Sequence, residues 1–359
     1  MSNQKKILFL SNASGYGGSE KSLELLVEYF SKKYRCVVCV ENEMHKNNLQ
    51  GKNNIEIISL KKGNDLLSVY SNLKTLYKLF NDDIHKVLIN TNKGALYVAV
   101  LSFLKKLILH DFIICVRDNQ WKYALFIFKQ LSEAKFAIPS EALQEKKDYI
   151  RDCIDVDNIY VIGEPVIICP EGHTMRESHI LMLANIARLK GIEYCIQAFA
   201  RTDLYKKGIK LLVCGSIVDD KYYAELNQYK ARLACKDKIE FRTFQENVDE
   251  LYKKAYVVVN TTVSQYGGPE SFGRTIIEAW QHKKPVIAFS VGGPKYIING
   301  GYDGFLINEK NVEELSKMLV MLCGDDDLRR KTGLNGYRKV RTMYQTDIIC
   351  KKIESIWNE

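Results

Sequence analysis

Residues 257–280 read VVVNTTVSQYGGPESFGRTIIEAW. A run of β-branched residues gives way to a Thr-Thr step and a Gly-Gly-Pro loop, and the pattern then becomes amphipathic and helical. That order is a buried strand, a loop and a helix, the unit from which parallel α/β sheets are built. In such sheets ligands bind at the carboxyl ends of strands, where loops lead into helices. The segment predicts a helix opening near Ser271. The first N–H groups of that helix have no internal partner, and its dipole favours an anion there. Gly273 would let a phosphate approach the backbone. Two carboxylates, Glu270 and Glu278, bracket the helix start. Counted from Ser271, Glu278 lies about 10 Å further along the axis. Carboxylates accept charge-assisted hydrogen bonds from sugar hydroxyls. A nucleotide sugar carries hydroxyls at both ends and a diphosphate between them, which matches this layout.

The same rhythm extends through the chain. Strand patterns in the first half fall at 7–11, 36–41, 55–60, 87–90, 112–116, 136–139 and 160–162, with helical patterns such as 19–32, 66–80 and 94–106 between them. In the second half they fall at 180–186, 211–214, 239–242, 256–260, 286–289 and 305–307. Near-continuous apolar strands alternating with helices imply parallel sheets covered on both faces. The chain has 359 residues, a length that favours two domains. The break is expected within GEPVIICPEGHTMRESH, residues 163–179, where Gly, Pro and polar residues cluster. The expected architecture is two doubly wound, Rossmann-like α/β domains facing across a cleft. The first spans 1–165 and is joined by a C-terminal helix at 345–359. The second spans 175–344.

Composition narrows the function. The formal net charge is +9, with no block of like charges. A diffuse basic balance suits anionic small molecules, an anionic membrane surface or nucleic acid. No arginine-rich helix or aromatic–basic stripe singles out nucleic acid, so no nucleic-acid partner is expected. The ten cysteines have no regular spacing and read as reduced core residues. Cys36 and Cys39 lie three apart on a strand and so face opposite sides. Neither the cysteines nor the scattered histidines, His173 and His179 among them, have metal-ligand spacing, and no metal is expected. The initial apolar run is short for a signal peptide, and lysines interrupt the longest apolar stretches before a membrane span's ~20 residues. A cytoplasmic protein is expected, with peripheral contact on the inner membrane face left open. Trp121 and Tyr123 read as core aromatics, with stacking on an acceptor as the alternative.

At this point the motifs reach a family. Glu270 and Glu278 with SFG between them resemble the donor-site signature of the retaining GT-B glycosyltransferases of family four, the glycosyl transferases group 1. YGGSE at 16–20 resembles that family's glycine-rich loop, and LANIARLKGIEYCIQAF at 183–199 resembles its segment with a phosphate-binding lysine. Residues 239–262 and 285–307 match its corresponding segments. The resemblance is dense over about 180–320 and sparser before it. It implies that Glu270 holds the donor hexose and Glu278 the ribose. It also implies that Ser271, Phe272 and Gly273 border the sugar and phosphate, with the backbone amides of Phe272 and Gly273 facing them. Lys190 would neutralise the diphosphate, with Gly17 and Gly18 closing from the other domain. The implied reaction is a retaining, metal-independent sugar transfer from a nucleotide-diphosphate donor to a glycan or lipid-linked glycan, as in bacterial surface-polysaccharide synthesis. No cofactor beyond the nucleotide sugar is implied.

The chain departs from the pattern in three places. Asn185 stands where the family usually has an arginine, with Arg188 between it and Lys190. Arg117 replaces a common histidine and should end its strand at the carboxyl edge, either holding an anion at the site or forming a structural ion pair with Asp118 at the loop start. Tyr296 stands where a glutamate is common. These departures motivate the alternative, a non-catalytic nucleotide-sugar-binding subunit of the same fold. An epimerase of this architecture would carry more catalytic carboxylates and histidines than are present.

Overall fold

The computed structural model describes residues 5–105, 107, 111–117, 121, 123–144, 154–168, 176–245 and 247–359. The chain divides into two compact units, one of Met1–Pro165 with Gln345–Glu359 and one of Val166–Tyr344.

In the first unit the strands are β1 (Lys6–Ser11), β2 (Arg35–Val40), β3 (Ile55–Ser59), β4 (Ile84–Ile89), β5 (Phe112–Cys115), β6 (Lys135–Ile138) and β7 (Ile159–Val161). They form one sheet in the order β3-β2-β1-β4-β5-β6-β7, and every pair is parallel. The helices are α1 (Gly18–Phe30), α2 (Glu43–Leu49), α3 (Leu66–Phe80), α4 (Asn92–Lys105) and α5 (Ala124–Gln130). Because β1–β3 step one way across the sheet and β4–β7 the other, right-handed crossovers put α3, α4 and α5 on one face. Their buried residues Leu76, Val98, Ile127 and Phe128 share a core with Leu8, Leu10, Val87 and Ile89 of the strands.

In the second unit the strands are β8 (His179–Leu183), β9 (Lys210–Cys214), β10 (Ile239–Arg242), β11 (Ala255–Asn260), β12 (Val286–Phe289) and β13 (Phe305–Ile307). They form a parallel sheet in the order β10-β9-β8-β11-β12-β13. The helices are α6 (Ile192–Ala200), α7 (Asp220–Ala231), α8 (Asp249–Lys253), α9 (Arg274–Gln281), α10 (Gly293–Ile297), α11 (Val312–Gly324) and α12 (Asp326–Lys339). A last helix, α13 (Thr346–Asn358), belongs to the first unit. There it packs on α1, with Trp357 meeting Phe30 edge-on at 5.3 Å.

Each sheet reverses direction once, between β1 and β4 and between β8 and β11. Both are doubly wound α/β sheets of the expected Rossmann-like kind, and these are the positions where such sheets open for ligands. The expected strand at 180–186 is shorter, ending at Leu183, and Ile186 makes only an isolated bridge to Ile217. Of the expected break at 163–179, residues 169–175, including His173, lie outside the described residues. His179 is buried, with Nε2 2.9 Å from the Leu251 carbonyl. Among the described residues the cysteines are free, and burial pushes the Cys36 and Cys39 thiols up to about 12. Trp121 is core, stacked on Phe128 at 5.1 Å. Tyr123 is 57% exposed and is not. It starts a short helix, where its ring is left outside.

Candidate functional site

In the second unit, β11 is buried until it ends in Asn260, and the chain then runs through Thr261 and Thr262. The Thr261 hydroxyl lies 3.1 Å from the Lys190 carbonyl and 2.9 Å from that of Gly191. It ties the loop after β11 to the turn before α6 that carries Lys190. Glu270 sits between these two segments. The amide of Asn260 and the hydroxyl of Thr262 each donate to its Oε2 at 3.0 Å, and Lys190 Nζ stands 3.3 Å from the same oxygen. Burial alone would raise the Glu270 pKa. The Lys190 charge and the two hydrogen bonds outweigh it, and the carboxyl is held below its usual value. All three of these donors meet Oε2, and among the described residues Oε1 has no donor and can accept from a ligand.

The helix begins later than the sequence suggests. Gly273 has φ +100°, a left-handed conformation that interrupts the helical pattern, and α9 starts at Arg274 instead of near Ser271. Glu278 is therefore about 6 Å along the axis from the first helical residue, one turn in. Its surroundings also differ from expectation. Arg274 Nε donates to Oε1 at 2.9 Å, and the fully buried Tyr252 hydroxyl donates to Oε2 at 2.8 Å. Burial and the Glu278 charge push the Tyr252 hydroxyl pKa well up, so it stays a donor. Glu278 thus holds part of the fold together.

The loop carrying Glu270, Ser271 and Phe272 is backed by the start of α10. The Gly293 N–H donates to the Glu270 carbonyl at 2.7 Å. A Cβ on Gly293 would lie 2.3 Å from the Phe272 Cα, so only glycine allows this approach. Phe272 is buried and packs edge-on against Tyr344 at 5.4 Å. Ser271 is half-buried at the loop's turn.

The other expected residues are placed as follows. Arg188 gives its guanidinium to both oxygens of Glu225 at 2.7 Å and stacks over Tyr222 at 5.1 Å. It is thus engaged away from Glu270. Asn185 is exposed beyond the end of β8. Gly17, Gly18 and Arg117 belong to the first unit. Gly17 caps α1, and its N–H donates to Glu20 Oε2 at 3.0 Å. Arg117 follows β5 as expected, but the anion it holds is the protein's own Glu164, which also accepts from the Ser22 hydroxyl. Asp118 lies outside the described residues. Burial opposes the Arg117 charge, the neighbouring Glu164 offsets this, and the guanidinium pKa goes up. Among the described residues no three His, Cys, Asp or Glu side chains come together as a metal-ligand set.

Asn260, Thr262, Arg274 and Tyr252 were not singled out from the sequence. Asn260 and Thr262 carried a signal, since polar residues at the carboxyl end of a buried strand point to a site. Tyr252, 26 residues before Glu278, carried none.

Residues 168–339 match the family described as Glycosyl transferases group 1. The chain is 29% identical over 195 residues to an exopolysaccharide phosphotransferase of Streptomyces coelicolor, covering 53% of this chain and 20% of that protein. It is 28% identical over 181 residues to the capsular polysaccharide biosynthesis glycosyltransferase CapM of Staphylococcus aureus, covering 49% of this chain and 44% of CapM. The matches thus span less than half the length of either relative. Among solved structures, HepE of Anabaena in complex with UDP-glucose superposes with a TM-score of 0.84 at 18% identity, covering 98% of this chain and 99% of HepE. At that identity the likeness shows the fold, which is that of the GT-B proteins.

Proposed function

Since residues 168–339 match the family described as Glycosyl transferases group 1, we propose that the chain transfers a sugar from a nucleotide-diphosphate donor to a glycan or lipid-linked glycan. The setting would be bacterial polysaccharide synthesis, with the anomeric configuration retained and no metal required. The observation that carries this reading is the Glu270 carboxylate, ionised and fixed through one oxygen by Lys190, Asn260 and Thr262. Such a carboxylate is ready to take the hydroxyls of a hexose through Oε1, and its geometry needs no rearrangement on binding.

Each neighbouring group then has a task. The positive dipole end of α9, with the backbone at Gly273, suits the diphosphate. Lys190 lies beside Glu270 and can turn its charge to the diphosphate as the glycosidic bond breaks and negative charge grows there. Glu278, held by Tyr252 and Arg274, presents a fixed carboxylate to ribose hydroxyls. Arg117 cannot act as a base near neutral pH. Its pairing with Glu164 suits it to positioning rather than proton transfer.

The test is hydrolysis of UDP-, GDP- and dTDP-sugars, each followed alongside a thermal-shift measurement of binding. Turnover of one donor in the presence of EDTA, with a retained product anomer by NMR, is the expected result. Binding without turnover would favour the non-catalytic subunit, and an inverted product or a strict metal requirement would overturn the mechanism.

A further inference from the structure

Arg274 opens α9, and its place there runs against the electrostatics of the helix. The N-terminal end of a helix dipole is positive, so a cation in the first turn is disfavoured without an anion beside it. Arg274 is nonetheless the first residue of α9 and the one charged residue of its first turn. Its Nε donates to Glu278 Oε1 at 2.9 Å, four residues on, which sets both side chains along one stripe of the helix. Even this pair has the weaker order, since a carboxylate N-terminal to its cation suits the dipole better. Nor is the pair sealed in the core, for the two side chains are 15% and 16% exposed. A residue that breaks a local rule beside a site marks function, and here an anion is the group that would relieve it.

The charges of the site identify that anion. Lys190 stands 3.3 Å from Glu270, whereas Arg188 is paired with Glu225 and Asp219, and Asn185 is neutral. Two carboxylates, Glu270 and Glu278, are thus matched by two cations, Lys190 and Arg274, and their formal charges cancel. A nucleotide sugar brings one negative charge on each phosphate, and the leaving diphosphate takes up another. Lys190 alone does not balance that gain. We propose that Arg274 is a second cation for the donor diphosphate, acting with Lys190. The role rests on the sugar-transfer reading, in which Glu270 holds the hexose and Glu278 the ribose. The diphosphate joins those two parts of the donor, and Arg274 lies four residues from each glutamate, between them. As the sugar C1–O bond breaks, its electron pair goes to the β-phosphate oxygen. The acceptor oxygen bonds to C1, and its proton passes to the departing diphosphate. Arg274 stays protonated throughout and holds the developing charge with a planar fork that matches phosphate oxygens.

The experiment compares the affinity of the full chain for UDP and uridine, and for GDP and guanosine, by calorimetry and ligand-observed NMR. Each pair shares its base and ribose and differs by the diphosphate. Arg274→Leu should lower affinity for the diphosphate at least about tenfold more than for the nucleoside. The kcat for the matching sugar donor should fall by a similar factor. Arg274→Gln, which keeps a neutral donor beside Glu278, should show the same selective loss and guards against a leucine variant that fails to fold. An arginine that only steadies Glu278 acts through the ribose, which both ligands share, so equal losses would overturn the proposal. So would an Arg274→Leu protein that keeps its preference for the diphosphate while Arg188→Leu loses it, because Arg188 would then be the second cation. Wild-type protein that binds neither UDP nor GDP would remove the sugar-transfer reading and this role with it. Binding by the wild type with equal losses in the variants would remove only the role of Arg274.

Discussion

At the scale of single residues, Glu270 and Glu278 look alike in the sequence and differ in the fold. Glu270 accepts three donors on one oxygen, while Glu278 shares its two oxygens between Arg274 and a buried tyrosine. Glu278→Ala should therefore do more than weaken donor binding. It strands the buried Tyr252 hydroxyl, at a cost of about 1–3 kcal/mol. Chemical denaturation should show that loss, and the double change with Tyr252→Phe should recover much of it while donor affinity stays low. Lys190→Ala should lower turnover more than donor affinity, because the lysine matters most as charge develops in the transition state. It should also move a titration. Lys190 helps hold the Glu270 pKa below its usual 4.5, so the carboxylate's contribution is present above that value and is lost only as pH falls through the lower folded value. Without Lys190 burial has less opposing it, the pKa rises, and the acid limb of donor binding should shift to higher pH. An unmoved limb would mean that Asn260 and Thr262 alone set the carboxyl.

At the scale of elements, the site depends on how closely two loops approach. The start of α10 touches the backbone of Glu270–Phe272, and the Gly293 N–H holds the Glu270 carbonyl. Gly293→Ala would set a methyl group 2.3–2.5 Å from three Phe272 backbone atoms. The loop must shift, and the expected destabilisation is about 1–3 kcal/mol. Donor affinity should fall although residue 293 bears no side chain that could touch a ligand. A thermal melt together with donor titration checks both effects, and unchanged affinity would show that the Glu270 loop is positioned from elsewhere. The start of α9 teaches the same lesson. The sequence pattern is helical from Ser271, but the conformation of Gly273 delays the first helical residue to Arg274. Arg274, the first helical residue, pairs with Glu278 one turn on.

For the molecule as a whole, the last helix decides how the first unit is closed. α13 packs on α1 through Trp357 and Phe30, and Lys86 and Lys135 donate to the carbonyls of Trp357 and Ile356 at 3.2 and 2.6 Å. Trp357 is 4% exposed. Trp357→Ala should destabilise the first unit by about 3–5 kcal/mol. Calorimetry should show this as an early transition, with the melting of the second unit largely unchanged. A single transition shifted as one would mean that the two units unfold together.

The sequence alone determined the alternation of strands and helices, the two doubly wound sheets, and the strand–loop–helix stretch that carries Glu270 and Glu278. These depend on local periodicity, and a buried parallel strand is legible wherever apolar residues run unbroken between turn signals. The helix 66–80 was legible to the residue because Asp65 caps it and its apolar stripe is regular. Tertiary structure decided the partners. Arg117 faces Glu164, 47 residues away, Arg188 turns to Glu225, and Tyr252 reaches Glu278. Charge pairing depends on which strand ends and helix faces the chain brings together, and no periodicity in the sequence records those distances.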